Sequence, residues 1–137
     1  MKLCMIGTGY VGLVSGACFS DLGNSVICVD KDTKKIDNLK KGIIPIFEPG
    51  IDELVKKNYR SGKLKFTSNL KESVLKSDII FICVGTPTKR NSNAADLTQI
   101  YKLAKEISKY TKKFKIIIAK STVPVTTGDK IEKIISK

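Results

Sequence analysis

Apolar positions recur along this chain in short unbroken runs that alternate with stretches spaced three and four residues apart. Lys2 to Ile6 is one such run, stopped by Gly7, with the pattern of a buried strand. From Tyr10 to Leu22 the apolar residues Val11, Val14, Ala17, Cys18 and Leu22 follow helical spacing, and Gly23-Asn24 ends that helix. Ser25 to Val29 predicts a second strand, closing on Asp30. Asp32 or Thr33 can cap the next helix, whose inward face is Ile36 and Leu39 and whose end is Gly42. A loop from Ile43 to Gly50 leads into an amphipathic helix carrying Ile51, Leu54 and Val55. Lys63 to Thr67 predicts a short strand, and Leu70, Val74 and Leu75 mark a further helix. Asp78 to Val84 is apolar on both faces, as a central strand of a parallel sheet requires. After a polar, turn-rich stretch from Gly85 to Ala95, Asp96 caps a helix with Leu97, Ile100, Leu103, Ala104 and Ile107 on one face. Lys115 to Ala119 reads as another buried strand, and a last helix runs from Thr126 through Ile131, Ile134 and Ile135.

Strands that alternate with helices require crossover connections, because parallel neighbours cannot be joined by a tight turn. The order therefore predicts an α/β fold, a doubly wound parallel sheet with helices on both faces. No repeat, low-complexity segment or linker divides residues 1–137, so one domain is expected, long enough to bury a real core. No run of ~18 apolar residues is present to cross a membrane. The N-terminus lacks the apolar stretch and small-residue cleavage site of a signal peptide, which makes the cytoplasm the expected compartment.

Gly7-Thr8-Gly9-Tyr10-Val11-Gly12 is G-x-G-x-x-G. It follows the first strand and opens the first helix, and Asp30 ends the second strand eighteen residues after Gly12. In that context the motif is a dinucleotide-binding fingerprint of the Rossmann type. Gly7 permits the tight turn, Gly9 lets a pyrophosphate approach the backbone, and Gly12 lets the helix pack close to the strand. The helix N-terminus offers free N–H groups to phosphate. Asp30 would accept from the adenosine ribose hydroxyls and repel a 2′-phosphate, which favours NAD over NADP. Lys31, Lys34 and Lys35 beside it keep NADP in view.

Composition removes several chemistries. Histidine is absent, so no His base, Ser-His-Asp triad or imidazole metal ligand exists. The cysteines at 4, 18, 28 and 83 show no C-x-x-C spacing, and no metal site is expected. Cys4, Cys28 and Cys83 fall in strand-like runs, where a free Cys acts as a small buried hydrophobe. The net charge of +12 raises the question of nucleic acid, but only Arg60 and Arg90 of the 25 basic residues are Arg. Base readout and bidentate phosphate binding favour Arg, and the lysines are spread over nearly every predicted helix and turn, so a solvated basic surface is expected and no nucleic-acid partner.

Four further segments accompany the fingerprint: Phe47-Glu48-Pro49-Gly50, Gly85-Thr86-Pro87, Ala95-Asp96-Leu97 and Lys120-Ser121-Thr122-Val123-Pro124-Val125. With Gly-Tyr-Val-Gly-Leu-Val at 9–14, they resemble the N-terminal NAD-binding domain of the UDP-glucose/GDP-mannose dehydrogenase family over essentially the whole chain, with a leaning to its UDP-glucose-oxidising members. By position, the resemblance implies that Val11, Asp30 and Lys35 surround the adenosine half of NAD and that Tyr10 lies at the pyrophosphate turn. It implies that Thr86 lies near the cofactor too. Thr122 would sit at the nicotinamide end, where the family's threonine helps position a water near the reacting carbon. Plainer readings stand beside these: Lys35 as an exposed helix lysine, Thr86 as a turn residue, Ser121-Thr122 as a helix-entry cap, and Glu48-Pro49-Gly50 as a structural turn. The chain departs from the family in having Asn91-Ser92-Asn93-Ala94 where an Asp-Gly pair usually precedes Ala-Asp-Leu, and Thr126 where a glycine usually follows Val-Pro-Val.

Such enzymes oxidise the C6 alcohol of a nucleotide sugar to a carboxylate with two NAD⁺, through a thioester on a cysteine. The aldehyde must be trapped by an activated thiolate before the second hydride can leave. The family's Glu-Phe-Leu-Arg-Glu-Gly type segment, its lysine and asparagine, and its Gly-x-Gly-Cys-Phe segment do not occur here, nor do the dimer-forming middle helix and UDP-binding domain. The resemblance thus implies a truncated NAD-binding portion, inactive alone, of an enzyme that is a homodimer acting on a nucleotide sugar. The alternatives are a stand-alone NAD-binding sensor or regulatory module, and a fragment of a GDP-mannose or UDP-N-acetyl-sugar dehydrogenase.

Overall fold

The structure, a computed structural model, describes residues 1–90 and 92–136. In chain order the elements are β1 (Lys2–Ile6), α1 (Tyr10–Asp21), β2 (Ser25–Val29), α2 (Thr33–Lys40), α3 (Ile51–Arg60), β3 (Leu64–Thr67), α4 (Leu70–Lys76), β4 (Ile79–Ile82), α5 (Thr98–Tyr110), β5 (Ile116–Ala119) and α6 (Thr127–Ile135). All five strands are parallel, in the order β3-β2-β1-β4-β5. The expected α/β Rossmann-type sheet is present, and strand order reverses between β1 and β4, where open sheets of this kind form a crevice at their carboxyl ends.

Each face of the sheet carries its own core. Leu3, Met5, Val26 and Phe66 pack with Leu13 and Ala17 of α1, Ile36 and Leu39 of α2, and Ile51 and Val55 of α3. Cys4, Ile6, Ile80 and Ile82 pack on the other face with Val74 of α4, Ile100, Leu103, Ala104 and Ile107 of α5, and Ile131 of α6. The continuous apolar runs of β1 and β4 are what this double covering demands.

Four expectations need correction. The helix α1 is present, but the apolar positions mark its buried face only in part. Ala17 is buried and Val14 packs on the core, while Val11 and Cys18 are exposed and Leu22 at the C-cap is 77% exposed. Gly12, Leu13, Gly16 and Ser20 are also buried. Apolar residues run around the whole helix, and its small residues choose the contact because they let it approach the sheet. A Cβ on Gly16 would stand 2.6 Å from Cys28 Sγ. β4 is shorter than the apolar run, ending at Ile82 because the chain then turns into the crevice. β5 is an edge strand and only partly covered, with Ile116 exposed. Finally, α5 starts at Thr98 with Leu97 in the cap position, while Asp96 Oδ1 accepts from the Thr98 N–H just outside the helix at 2.9 Å.

Candidate dinucleotide site

The turn after β1 is fixed by contacts that tolerate no side chain at two of its three glycines. Gly7 has φ +102° and its N–H donates to Val29 O at 2.8 Å. A Cβ there would lie 2.7 Å from Cys83 O, and one on Gly12 would lie 1.8 Å from Gly7 O. Gly9 differs: a Cβ on it would meet nothing within 4 Å. Nothing in the protein itself requires Gly9 to lack a side chain, so the open space is available to a ligand. Gly9 also occupies the cap position of α1 and gives no side-chain hydrogen bond to the helix, and the first turn contains no acidic residue. The leading N–H groups therefore retain their capacity and partial positive charge for an anion. The residues present fit a pyrophosphate group. Tyr10 and Val11, both about half exposed, stand on that first turn.

Asp30 lies at the carboxyl end of β2 and is held by both oxygens. Its Oδ2 accepts from the Thr8 N–H at 2.9 Å and the Thr8 hydroxyl at 2.7 Å, with Lys35 Nζ at 3.4 Å. Its Oδ1 accepts from the Asp32 N–H at 3.1 Å. Asp32 in turn caps α2 by accepting from the Lys35 N–H at 3.0 Å, so the helix starts immediately after the strand and turns Lys35 back over Asp30. Burial raises the Asp30 carboxyl's pKa. The Thr8 and Asp32 N–H groups, the Thr8 hydroxyl and the Lys35 ammonium outweigh it, and together they hold the carboxyl below its ordinary value. Lys35 is partly buried and ion-paired with Asp30. Thr8, fully buried, carries no signal in the sequence because it occupies an unspecified position of the motif.

The far wall comes from the loops after β4 and β5. Thr86 Oγ1 donates to Thr122 O at 3.0 Å, and Ser121 Oγ donates to Val84 O at 2.6 Å. Thr86 and Thr122 are thus brought together, and Ser121, read from sequence only as part of a helix-entry cap, fastens one loop to the other. Neither Ser121 nor Thr122 caps α6. That position belongs to Thr126, at φ +73° the one non-glycine residue of positive φ among those described. It is where the family usually has glycine, and the backbone explains the family's preference. Of the other departure, Asn91 lies outside the described residues, while Thr88 and Ala95 close the loop around it by an antiparallel bridge. Glu48, Pro49 and Gly50 are exposed and lead into α3 through Gly50 at φ +82°. Glu48, Pro49 and Gly50 line a surface hollow that runs from Ile44 to Glu53, and neither it nor a second hollow between β5 and α6 includes Gly7, Gly9, Tyr10, Val11, Gly12, Asp30, Lys35, Thr86 or Thr122.

The sequence pattern described as "UDP-glucose/GDP-mannose dehydrogenase family, NAD binding domain" matches residues 1–137. The chain belongs to this family. It is 57% identical over 135 residues to a UDP-glucose 6-dehydrogenase of Rhizobium meliloti (strain 1021), covering 98% of this chain and 31% of that protein. A ternary complex of GDP-mannose dehydrogenase from Pseudomonas aeruginosa superposes with a TM-score of 0.92 at 36% identity, covering 100% of this chain and 33% of the other. A UDP-glucose dehydrogenase from Pyrobaculum islandicum superposes equally well, TM-score 0.92 at 31% identity, with 98% and 32% covered. The chain therefore spans about a third of the length of the family relatives it matches.

Proposed function

We propose that this chain is the NAD⁺-binding portion of a nucleotide-sugar dehydrogenase whose substrate is UDP-glucose, carried to UDP-glucuronate with two NAD⁺ and one water. The observation that carries the cofactor reading is the Asp30 carboxylate, held ionised at the end of β2 beside an open Gly9. An ionised acceptor there suits a ribose bearing two free hydroxyls and opposes a 2′-phosphate. The sugar reading rests on the 57% identity to a protein named for UDP-glucose. A GDP-mannose enzyme remains the second reading, because the GDP-mannose and UDP-glucose dehydrogenases superpose on this fold equally well.

NAD⁺ supplies the hydride acceptor. The chain's own residues divide the remaining work: the α1 N-terminus holds the pyrophosphate, with Tyr10 at its turn, and Val11, Asp30 and Lys35 hold the adenosine half. Thr86 and Thr122 line the nicotinamide side, where the Thr122 hydroxyl positions a water. The thioester step draws on a thiolate from outside these residues. Burial pushes the Cys4 thiol up to about 12, Cys83 to about 11, and Cys28 strongly upward. Cys18 is exposed on α1, nine residues and about 13 Å along the helix axis from Gly9.

Calorimetric titration tests the cofactor reading, with NAD⁺ expected to bind this chain more tightly than NADP⁺. Equal or reversed affinities would overturn it. Addition of UDP-glucose and NAD⁺ to the chain is expected to give no NADH absorbance. Turnover at the rate of a complete enzyme would show that the nucleophile lies within these residues. Turnover of UDP-glucose, GDP-mannose and UDP-N-acetyl sugars by the complete enzyme decides the sugar.

A further inference from the structure

We propose that Thr8 is a positioning residue for cofactor selectivity, acting through Asp30. The proposal rests on the NAD reading above and deepens it. Thr8 stands between the first two glycines of the motif, at a position the motif leaves unspecified. Its side chain is fully buried and turned back toward β2, away from the opening that Gly9 leaves for a ligand. Both of its donors converge on one oxygen, Asp30 Oδ2, at 2.9 and 2.7 Å, and Lys35 Nζ approaches the same atom.

That convergence makes the two carboxylate oxygens unequal. Oδ2 has three donors from the protein, whereas Oδ1 has the Asp32 N–H alone. A carboxylate oxygen has about two lone-pair sites, so Oδ1 retains capacity to accept from a ribose hydroxyl while Oδ2 is filled. Thr8 thus chooses which oxygen meets the ligand and, together with Lys35 on the same oxygen, fixes the rotation of the carboxylate. A carboxylate held in place is both a ready acceptor for a 2′-hydroxyl and a fixed negative charge against a 2′-phosphate. Without the Thr8 hydroxyl the carboxylate is freer to rotate, and both effects weaken together.

The Thr8 substitution to valine keeps the backbone N–H bond and the side-chain shape and removes only the hydroxyl. Calorimetric titration of this chain with NAD⁺ and NADP⁺ then reads the effect. T8V is expected to weaken NAD⁺ binding about fivefold while changing NADP⁺ by less than about twofold, within what one hydrogen bond to a charged group can supply. T8S, which restores the hydroxyl, is expected to recover the wild-type ratio. In the D30A background T8V is expected to have no further effect on NAD⁺, because the acceptor through which Thr8 acts is gone. Thermal melts of the unliganded variants separate a folding loss from a binding loss. An unchanged ratio in folded T8V, or an undiminished T8V effect in D30A, overturns the proposal while leaving the NAD reading intact. Failure of the wild-type chain to bind either dinucleotide overturns that reading, and the proposal with it.

Discussion

On the β1–β2 side of the crevice, atoms are committed to one another: Gly12 against the Gly7 carbonyl, Gly16 against Cys28, and Thr8 and Lys35 against Asp30. On the β4–β5 side, two exposed loops are laced by the hydroxyls of Thr86 and Ser121, and a threonine is held in a glycine conformation. One wall is rigid because close packing leaves no alternative. The other is defined by a few hydrogen bonds in partly solvated surroundings. Under the proposed function, the first wall holds a constant part of the ligand and the second meets its reacting part.

Substitutions should sort along that divide. Gly12→Ala is expected to cost most, about 3 kcal/mol or more in urea unfolding, since its Cβ would meet a backbone carbonyl at 1.8 Å that cannot move without opening the turn. A cost below about 1 kcal/mol would show that the first wall is not close-packed.

Asp30→Asn comes next, expected to cost about 2 kcal/mol near neutral pH, because charge-assisted bonds become neutral ones. The sign of the pH dependence follows from the lowered carboxyl: the stabilisation is complete above the ordinary carboxylate pKa of about 4 and is lost as pH falls through the depressed folded value. Between about pH 5 and about pH 3 the wild-type urea midpoint should therefore fall further than that of D30N. Asp21, Glu72 and Asp96, whose carboxyls are also lowered, titrate in both proteins and cancel in the comparison.

On the second wall the effects should be smaller and can change sign. Thr126→Gly is expected to raise stability by about 0.5–1 kcal/mol, the left-handed penalty of a β-branched residue less the entropy of glycine. A destabilised T126G would show that the Thr126 side chain makes a contribution that outweighs the strain. Thr86→Val should cost least, about 0.5 kcal/mol, since its bond to Thr122 O lies in exposed surroundings. A loss as large as that of D30N would erase the difference between the walls.

What the sequence makes legible follows the same divide between local and non-local causes. β1, β2 and the start of α2 are readable because unbroken apolar runs, glycines and Asp32 act within a few residues of themselves. The glycine turn and Asp30 are readable as a spaced pattern whose parts each have one physical task. Thr8 is not readable, because its partner is 22 residues away and the motif leaves its identity open. The buried face of α1 is hidden for a different reason: closeness of approach chooses small residues, and counting apolar ones points to Val11 and Leu22 instead. β5 has the composition of a central strand yet is only partly buried, because the cover on its faces comes from elements elsewhere in the chain and not from its own residues.

The buried hydroxyl of Thr8 also constrains how the proposed NAD⁺ preference could change over generations or by design. Replacing Asp30 with a small neutral residue to admit a 2′-phosphate would strand a desolvated donor beneath it, at a cost of about 1–3 kcal/mol. A single-step switch therefore crosses a stability valley. The passable route alters Thr8 first or together with Asp30, so positions 8 and 30 should change as a pair wherever this scaffold takes up the phosphorylated cofactor.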